Sequence, residues 1–366
     1  MDCTTHALAP TPDLAAQLAA IEADRPDLVL AFLPPGPNFR QAVDQLAERW
    51  PDSLRCGCEA LSQFVDQHHH SHGALMLLSV GGSADLRAQT LDASETNLAA
   101  GCRDADASLL LFAGRCSLAT ETLTRLRRQL RGDTAQPVIA GGLASADFES
   151  VARVFLDRQI VEDQGVVLWL SGVDVSLEVF AEWQPAGPFY RVTEAHDSTL
   201  HEIDGTSATE WFRRFFEVDG QLAPMPDAAL RFPLILEGED DDRRGLFRAL
   251  RSFDDASGEV TFWGDLRTGD RVRFGIPADH SLLHGGRRPA PETREPVDFA
   301  VLMSCVGREL LLADRFEEEA IEMHRALGGA PLVGLTTLGE VGPSRTGYVN
   351  LHNQTAVLMR LREKNR

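Results

Sequence analysis

One arrangement, repeated three times, constrains this chain more than anything else in it. A continuous apolar run is followed by an amphipathic stretch, a second short apolar run with a glycine-containing turn, and a closing apolar run. The first copy comprises Asp27-Leu-Val-Leu-Ala-Phe32, the stretch from Phe39 to Trp50, Arg55-Cys-Gly-Cys58 and the run from Gly73 to Val80. The second comprises Ala107 to Phe112, a helix near Glu121 to Leu130, Pro137-Val-Ile-Ala-Gly-Gly142 and Gln164 to Leu170. The third comprises Asp298 to Met303, a helix around Asp314 to Leu327, Pro331 to Glu340 and Thr355 to Met359. Apolar runs of this length without alternation suit strands buried on both faces, with helices covering the sheet. A glycine after such a run is either a simple turn or a point where backbones come close. Its return at matching places predicts a duplicated unit. The expected fold class is α/β, with repeated strand-helix-strand units forming mixed sheets with flanking helices.

A different texture separates the second and third copies. Between Val192 and Phe274, short pieces such as Arg231 to Leu236, Val260 to Trp263 and Asp270 to Phe274 alternate with turn signals, Asp204-Gly205 and Ser257-Gly258 among them. These predict antiparallel strands. Gly238 to Arg244 reads as a solvated acidic loop, and Gly285-Gly-Arg-Arg-Pro-Ala-Pro291 as a linker. The expected division is an N-terminal extension over 1–26, a first domain over 27–225 and a second over 226–366. The second contains antiparallel strands over 226–285, a linker over 285–296 and an α/β unit over 297–366.

Composition removes several functions. The formal net charge is −20, which speaks against nucleic acid and against an anionic membrane surface as partners. Lys364 is the only lysine, so a Walker-type phosphate loop is excluded and Schiff-base chemistry is implausible. There is no Gly-x-Ser-x-Gly elbow, no His-Glu-x-x-His motif and no dinucleotide fingerprint. Apolar runs are strand-sized, and Asp2 opens the chain where an export signal would be basic, so a cytoplasmic location with reduced thiols is expected.

Ser304-Cys-Val-Gly-Arg308, Gly328, Val333-Gly-Leu-Thr-Thr-Leu-Gly-Glu340 and Leu351-His-Asn-Gln-Thr355 resemble, in order and spacing, the C-terminal domain of the FIST family. Val138-Ile-Ala-Gly-Gly-Leu143, Gly187-Pro188, Val192-Thr193 and Glu202-Ile-Asp-Gly205 resemble the rest of that family. The likeness covers the chain from about Asp27 onward. The first turn departs from the family: after Cys56-Gly-Cys-Glu-Ala60 a Gly-Glu is missing, and the histidine-rich Gln67 to His72 follows. The resemblance implies two FIST-like domains and a bacterial signal-transduction input protein that senses small ligands such as amino acids. Stand-alone relatives of this size imply haem, nitric oxide sensing and a partner histidine kinase or other signalling protein. A homodimer stays open.

The candidate ligand site gathers Arg308, Thr336, Thr337, Gly339, Glu340, His352 and Asn353. An arginine fork matches a carboxylate, and threonine hydroxyls with backbone N–H groups suit a polar ligand. The competing reading is an internal ion pair, with Glu340 as the partner of Arg308. Haem requires an axial ligand in an apolar pocket. His280 and His284, beside the linker, are the nominees for the iron, ahead of His196, His201, His324 and His352, with Arg271 and Arg273 for the propionates. Cys56 and Cys58 with His68, His69, His70 and His72 offer zinc or redox chemistry, against two buried thiols and a polar loop. No catalytic residue is assigned. A hydrolase or redox enzyme using Cys305 or His352 is the alternative from another class.

Overall fold

The computed structural model describes residues 1–10, 13–23, 25–82, 84–91, 98–114, 116–147, 150–181, 183–237, 243–277 and 296–364. Each of the three units builds one six-stranded sheet with the same neighbour order. In the first unit the parallel strands Leu28–Leu33 and Leu54–Glu59 are joined by the helix Phe39–Arg49. The closing strand Ala74–Ser79 and then the edge strand Asp2–Ala7 follow antiparallel on one side. The second unit repeats this with Ala107–Phe112, helix Cys116–Leu130, Val138–Leu143, closing strand Gly165–Ser171 and edge strand Asp85–Leu91. The third uses Phe299–Cys305, helices Val306–Leu312 and Glu317–Ala326, and Leu332–Thr337. Its closing and edge strands are Ala356–Glu363 and Val173–Phe180. The segment 1–26, expected as an extension, therefore supplies an edge strand of the first sheet.

The last two strands of every sheet come from another unit. The first unit's hairpin, Gln63–Val65 and His68–His70, pairs with Leu332–Thr337 of the third. The second unit's hairpin, Val154–Leu156 and Gln159–Val161, pairs with Leu54–Glu59 of the first. The third unit's hairpin, Glu340–Pro343 and Val349–His352, pairs with Val138–Leu143 of the second. Each unit thus completes its neighbour's sheet around a closed ring, and side chains from all three, such as Leu30, Leu109 and Val301, share one buried cluster.

Two local devices fix this exchange. Asp66 and Asp157 sit at the hairpin turns with φ of 53°, a conformation that aspartate tolerates better than most residues. Asp66 donates its N–H to Leu332 O at 2.7 Å, and its carboxylate accepts from Leu332 N at 3.1 Å. Asp157 does the same with Arg55, at 2.7 and 3.4 Å. The glycines of the second strands answer the choice between turn and close approach. Gly57 faces Ala31, Gly141 faces Leu110 and Gly334 faces Leu302 across the parallel pairs. A Cβ there would lie 1.8, 1.8 and 2.6 Å from the opposing carbonyl oxygens.

Between the edge strand of the third unit and Phe299 lies an inserted antiparallel sheet. The expected strands form as Leu234–Leu236, Glu259–Phe262 and Arg271–Pro277. The helix Ala208–Phe216, capped by the Ser207 hydroxyl, packs Trp211 and Phe212 into its core. Residues 238–242 with the acidic Glu239 to Asp242, and 278–295 with His280, His284 and most of the linker, lie outside the described residues. Among the described residues no helix is long and apolar enough to cross a membrane.

Candidate functional site

The third unit's parallel strands end at Cys305 and Thr337, and the carboxyl ends of such strands are where open α/β sheets leave a crevice. The inserted domain roofs it. Leu230, Arg251 and Trp263 from above, with Gly307, Thr337 and Gln354 from below, enclose about 220 Å³. That is below the roughly 300–1,000 Å³ of pockets that enclose drug-sized ligands.

The roof is held by the segment Leu351 to Gln354. Asn353 Oδ1 accepts from Ala249 N at 3.3 Å and Asn353 Nδ2 donates to Trp263 O at 3.4 Å. Gln354 Nε2 donates to Leu230 O at 3.3 Å, and Trp183 Nε1 donates to Gln354 O at 3.1 Å. Gln354 has φ of 60°, and its side chain lies where any Cβ on Gly307 would be, 2.5 Å from Nε2. Its Oε1 is buried without a hydrogen-bond partner among the described residues. A buried acceptor left unmade costs free energy. Arg251 lies over the Trp263 ring at 4.7 Å on the rim, and Asp227 lines the same mouth.

The sequence candidates divide around this cavity. Thr337 and Asn353 line it. Arg308 is buried and pairs with Glu319, Nε and Nη2 lying 2.9 and 2.6 Å from Oε2, while Ser304 Oγ donates to Glu319 Oε1. The internal ion pair anticipated for Arg308 exists, with Glu319 in place of Glu340. Glu340 is buried and receives Thr337 Oγ1 at 2.7 Å, Thr355 Oγ1 at 2.7 Å and Thr355 N at 3.2 Å. Burial dominates over these donors and raises its carboxyl to about 7. His352 places Nε2 3.2 Å from Gly342 O, and burial lowers it to about 4. Thr336 bonds Ser62, fixing the first unit's hairpin, and the Gly339 carbonyl accepts from Leu143 N. Leu230, Arg251, Trp263 and Gln354 were not nominated. The motif Leu351 to Thr355 pointed toward Gln354, whereas nothing in the sequence joined the inserted strands to it.

Nucleophilic and metal chemistry find little support in the geometry. Burial, with Glu340 adding to it, pushes the Cys305 thiol well above its usual range, so little thiolate exists at neutral pH. Cys56 and Cys58 are core residues of the first sheet, their thiols also raised by burial, Cys56 to about 12. The histidine hairpin belongs to the third sheet. Among the described residues no group of three or more His, Cys, Asp or Glu could hold a metal ion. Among the described residues no histidine lines the cavity. Of the other described nominees, His196 is exposed beside Asp197 and His201 meets Glu259 at 3.2 Å. Arg271 and Arg273 both lie over the Phe189 ring. His324 Nδ1 is buried without a hydrogen-bond partner among the described residues but does not line this cavity, and His280 and His284, the nominees for the iron, lie outside the described residues.

The model of the FIST N domain matches residues 27–206 and that of the FIST C domain matches residues 208–343. An uncharacterized protein of Mycobacterium tuberculosis (strain H37Rv) is 27% identical over 233 residues, covering 60% of this chain and 58% of that protein. An uncharacterized protein of Mycobacterium bovis is 24% identical over 230 residues, with 60% and 58% covered. The match thus spans a little under three fifths of these curated relatives. FIST domains are sensor domains of signal transduction. With both of its domain models matched over most of the sequence, the chain belongs to the FIST family.

Proposed function

We propose that this chain senses a small amphipathic metabolite in the cavity between its third unit and the inserted domain. The observation that carries the reading is Gln354. Its side chain lines the cavity and its Oε1 is buried without a hydrogen-bond partner among the described residues, while its carbonyl and Nε2 hold the inserted domain through Trp183 and Leu230. A guest that donates to Oε1 and fills the space beside Trp263 and Leu310 would favour one position of the inserted domain over another. Only such a difference in affinity between two arrangements can move their populations. An amino acid with an apolar side chain has the required size and polarity.

Nitric oxide sensing through haem and a histidine kinase as the receiver are finer readings that rest on the family resemblance, and a cytoplasmic location is one that rests on the strand-sized apolar runs and the acidic Asp2. Haemin titration tests the first directly: a saturable Soret band at one haem per chain would bring it forward.

The main reading is tested by thermal shift and calorimetry against amino acids and short hydroxy acids. A guest should raise the melting temperature as its concentration exceeds the dissociation constant. Leu310→Trp, which fills the cavity from its half-exposed helix, should abolish that shift without unfolding the chain. Flat traces across the panel, or a shift untouched by Leu310→Trp, would refute the assignment.

A further inference from the structure

A second cavity, of about 440 Å³, lies where the inserted domain meets the tip of the third unit's hairpin. Its lining shares no residue with the first cavity. Trp183, Ile235 and Phe247 form an apolar floor, a small cluster separate from the main cores. Arg244, Arg273 and Arg345 stand around it, and Glu237 is the one carboxylate among the described lining residues.

Among the described residues the charges do not balance. Glu237 meets Arg273 Nη2 at 2.7 Å and Arg244 Nε at 3.6 Å, so one carboxylate serves two guanidinium groups. Arg273 Nε is buried with no acceptor among the described residues. Arg345 is exposed and makes no ion pair among them. It crosses the bare backbone of Gly245, which has φ of +81°, and a Cβ there would come within 3.2 Å of Arg345 Nε. In a chain of net charge −20, a cavity whose described lining holds three arginines and one acid is set apart from the rest of the described surface. Planar guanidinium groups recognise phosphate and carboxylate in a forked geometry, and the floor offers apolar surface to the rest of a guest.

We infer that this cavity binds a small molecule with a doubly negative head, a phosphate monoester or a dicarboxylate, carried on an apolar body. The head sits between Arg345 and Arg273, and the body lies on Trp183 and Phe247. Bound there, the guest ties the inserted domain to the hairpin that completes the second unit's sheet.

The test is calorimetry on the full chain at low salt, where exposed charges are least screened, with phenyl phosphate, phthalate, inorganic phosphate and phenol as probes. Phenyl phosphate or phthalate should bind one site per chain, inorganic phosphate more weakly, and phenol not at all. The bonding head decides between the two sources: whichever of the pair binds more tightly names the phosphate or the dicarboxylate class. Arg345→Ala should weaken binding at least tenfold, Arg345→Lys less, and Arg251→Ala, in the other cavity, should leave it unchanged. Arg345 is exposed, so its variants should keep the wild-type circular dichroism. Absence of heat with both aromatic dianions, or tight binding that survives Arg345→Ala combined with Arg244→Ala, would overturn the inference.

Discussion

Trp183 donates its indole N–H to the carbonyl oxygen of Gln354 at 3.1 Å, joining the floor of one cavity to the wall of the other. Both partners are buried, so removing the donor strands a carbonyl that water cannot reach. Trp183→Phe keeps an aromatic floor and should cost about 1–3 kcal/mol. Urea unfolding of the variant against the parent measures it, and an unchanged midpoint would show that the bond holds nothing.

Glu340 and His352 give stability opposite dependences on pH. Glu340 keeps its proton in the folded chain up to about 7 against an ordinary 4.5. Folding therefore takes up a proton between those values, and stability falls as pH rises through that window. His352 is held neutral down to about 4 against an ordinary 6.5. Folding releases a proton there, so stability falls as pH drops from about 6.5 towards 4. The two slopes oppose one another between about 4.5 and 6.5. Glu340→Gln should leave stability rising with pH across this window, and His352→Asn should leave it falling. Urea midpoints at pH 4.5, 5.5 and 6.5 for both variants check the signs.

The buried ion pair of Arg308 and Glu319 should be costly to halve and cheap to replace. Arg308→Met alone leaves Glu319 charged with Ser304 as its remaining described donor. Glu319→Leu alone leaves the guanidinium buried. Either should cost about 3–5 kcal/mol, whereas the double variant should recover most of the loss. A double-mutant cycle in urea reads the coupling directly.

What the sequence disclosed and what it withheld divide along physical lines. The central strands of the three units were legible because strands buried on both faces leave unbroken apolar runs, as in Leu28–Leu33 and Ala107–Phe112. The exchange of hairpins was not. Gln63–Val65 is three residues long and His68–His70 is polar, so neither carries a period, and the sheet that a strand joins is decided by tertiary packing. Glu319 hid in the acidic run Glu317 to Glu319 at a helix start, where carboxylates ordinarily face solvent beside the helix dipole. Glu340, closer by motif, drew the pairing to itself. Thr337 and Asn353 were found at the cavity because the family motif marks them. Arg251 and Trp263 were not, because their place beside the cavity arises from docking a domain far away in sequence.

The three glycines of the second strands set the last expectation. Gly57, Gly141 and Gly334 occupy one position of the repeat, and a methyl group at each would overlap the carbonyl of Ala31, Leu110 or Leu302. The overlap is with backbone in a central parallel pair, where nothing flexible can give way. Alanine at Gly57 or Gly141 should therefore destabilise by about 3 kcal/mol or more. Gly334→Ala should cost less, its oxygen being 2.6 Å away instead of 1.8 Å. Gly82→Ala, with nothing within 4 Å, should stay within about 0.5 kcal/mol of the parent. Urea midpoints for the four variants test the series, and equal values at Gly57 and Gly82 would mean that the strands can part at no cost, against the repeated close approach on which the three sheets are built.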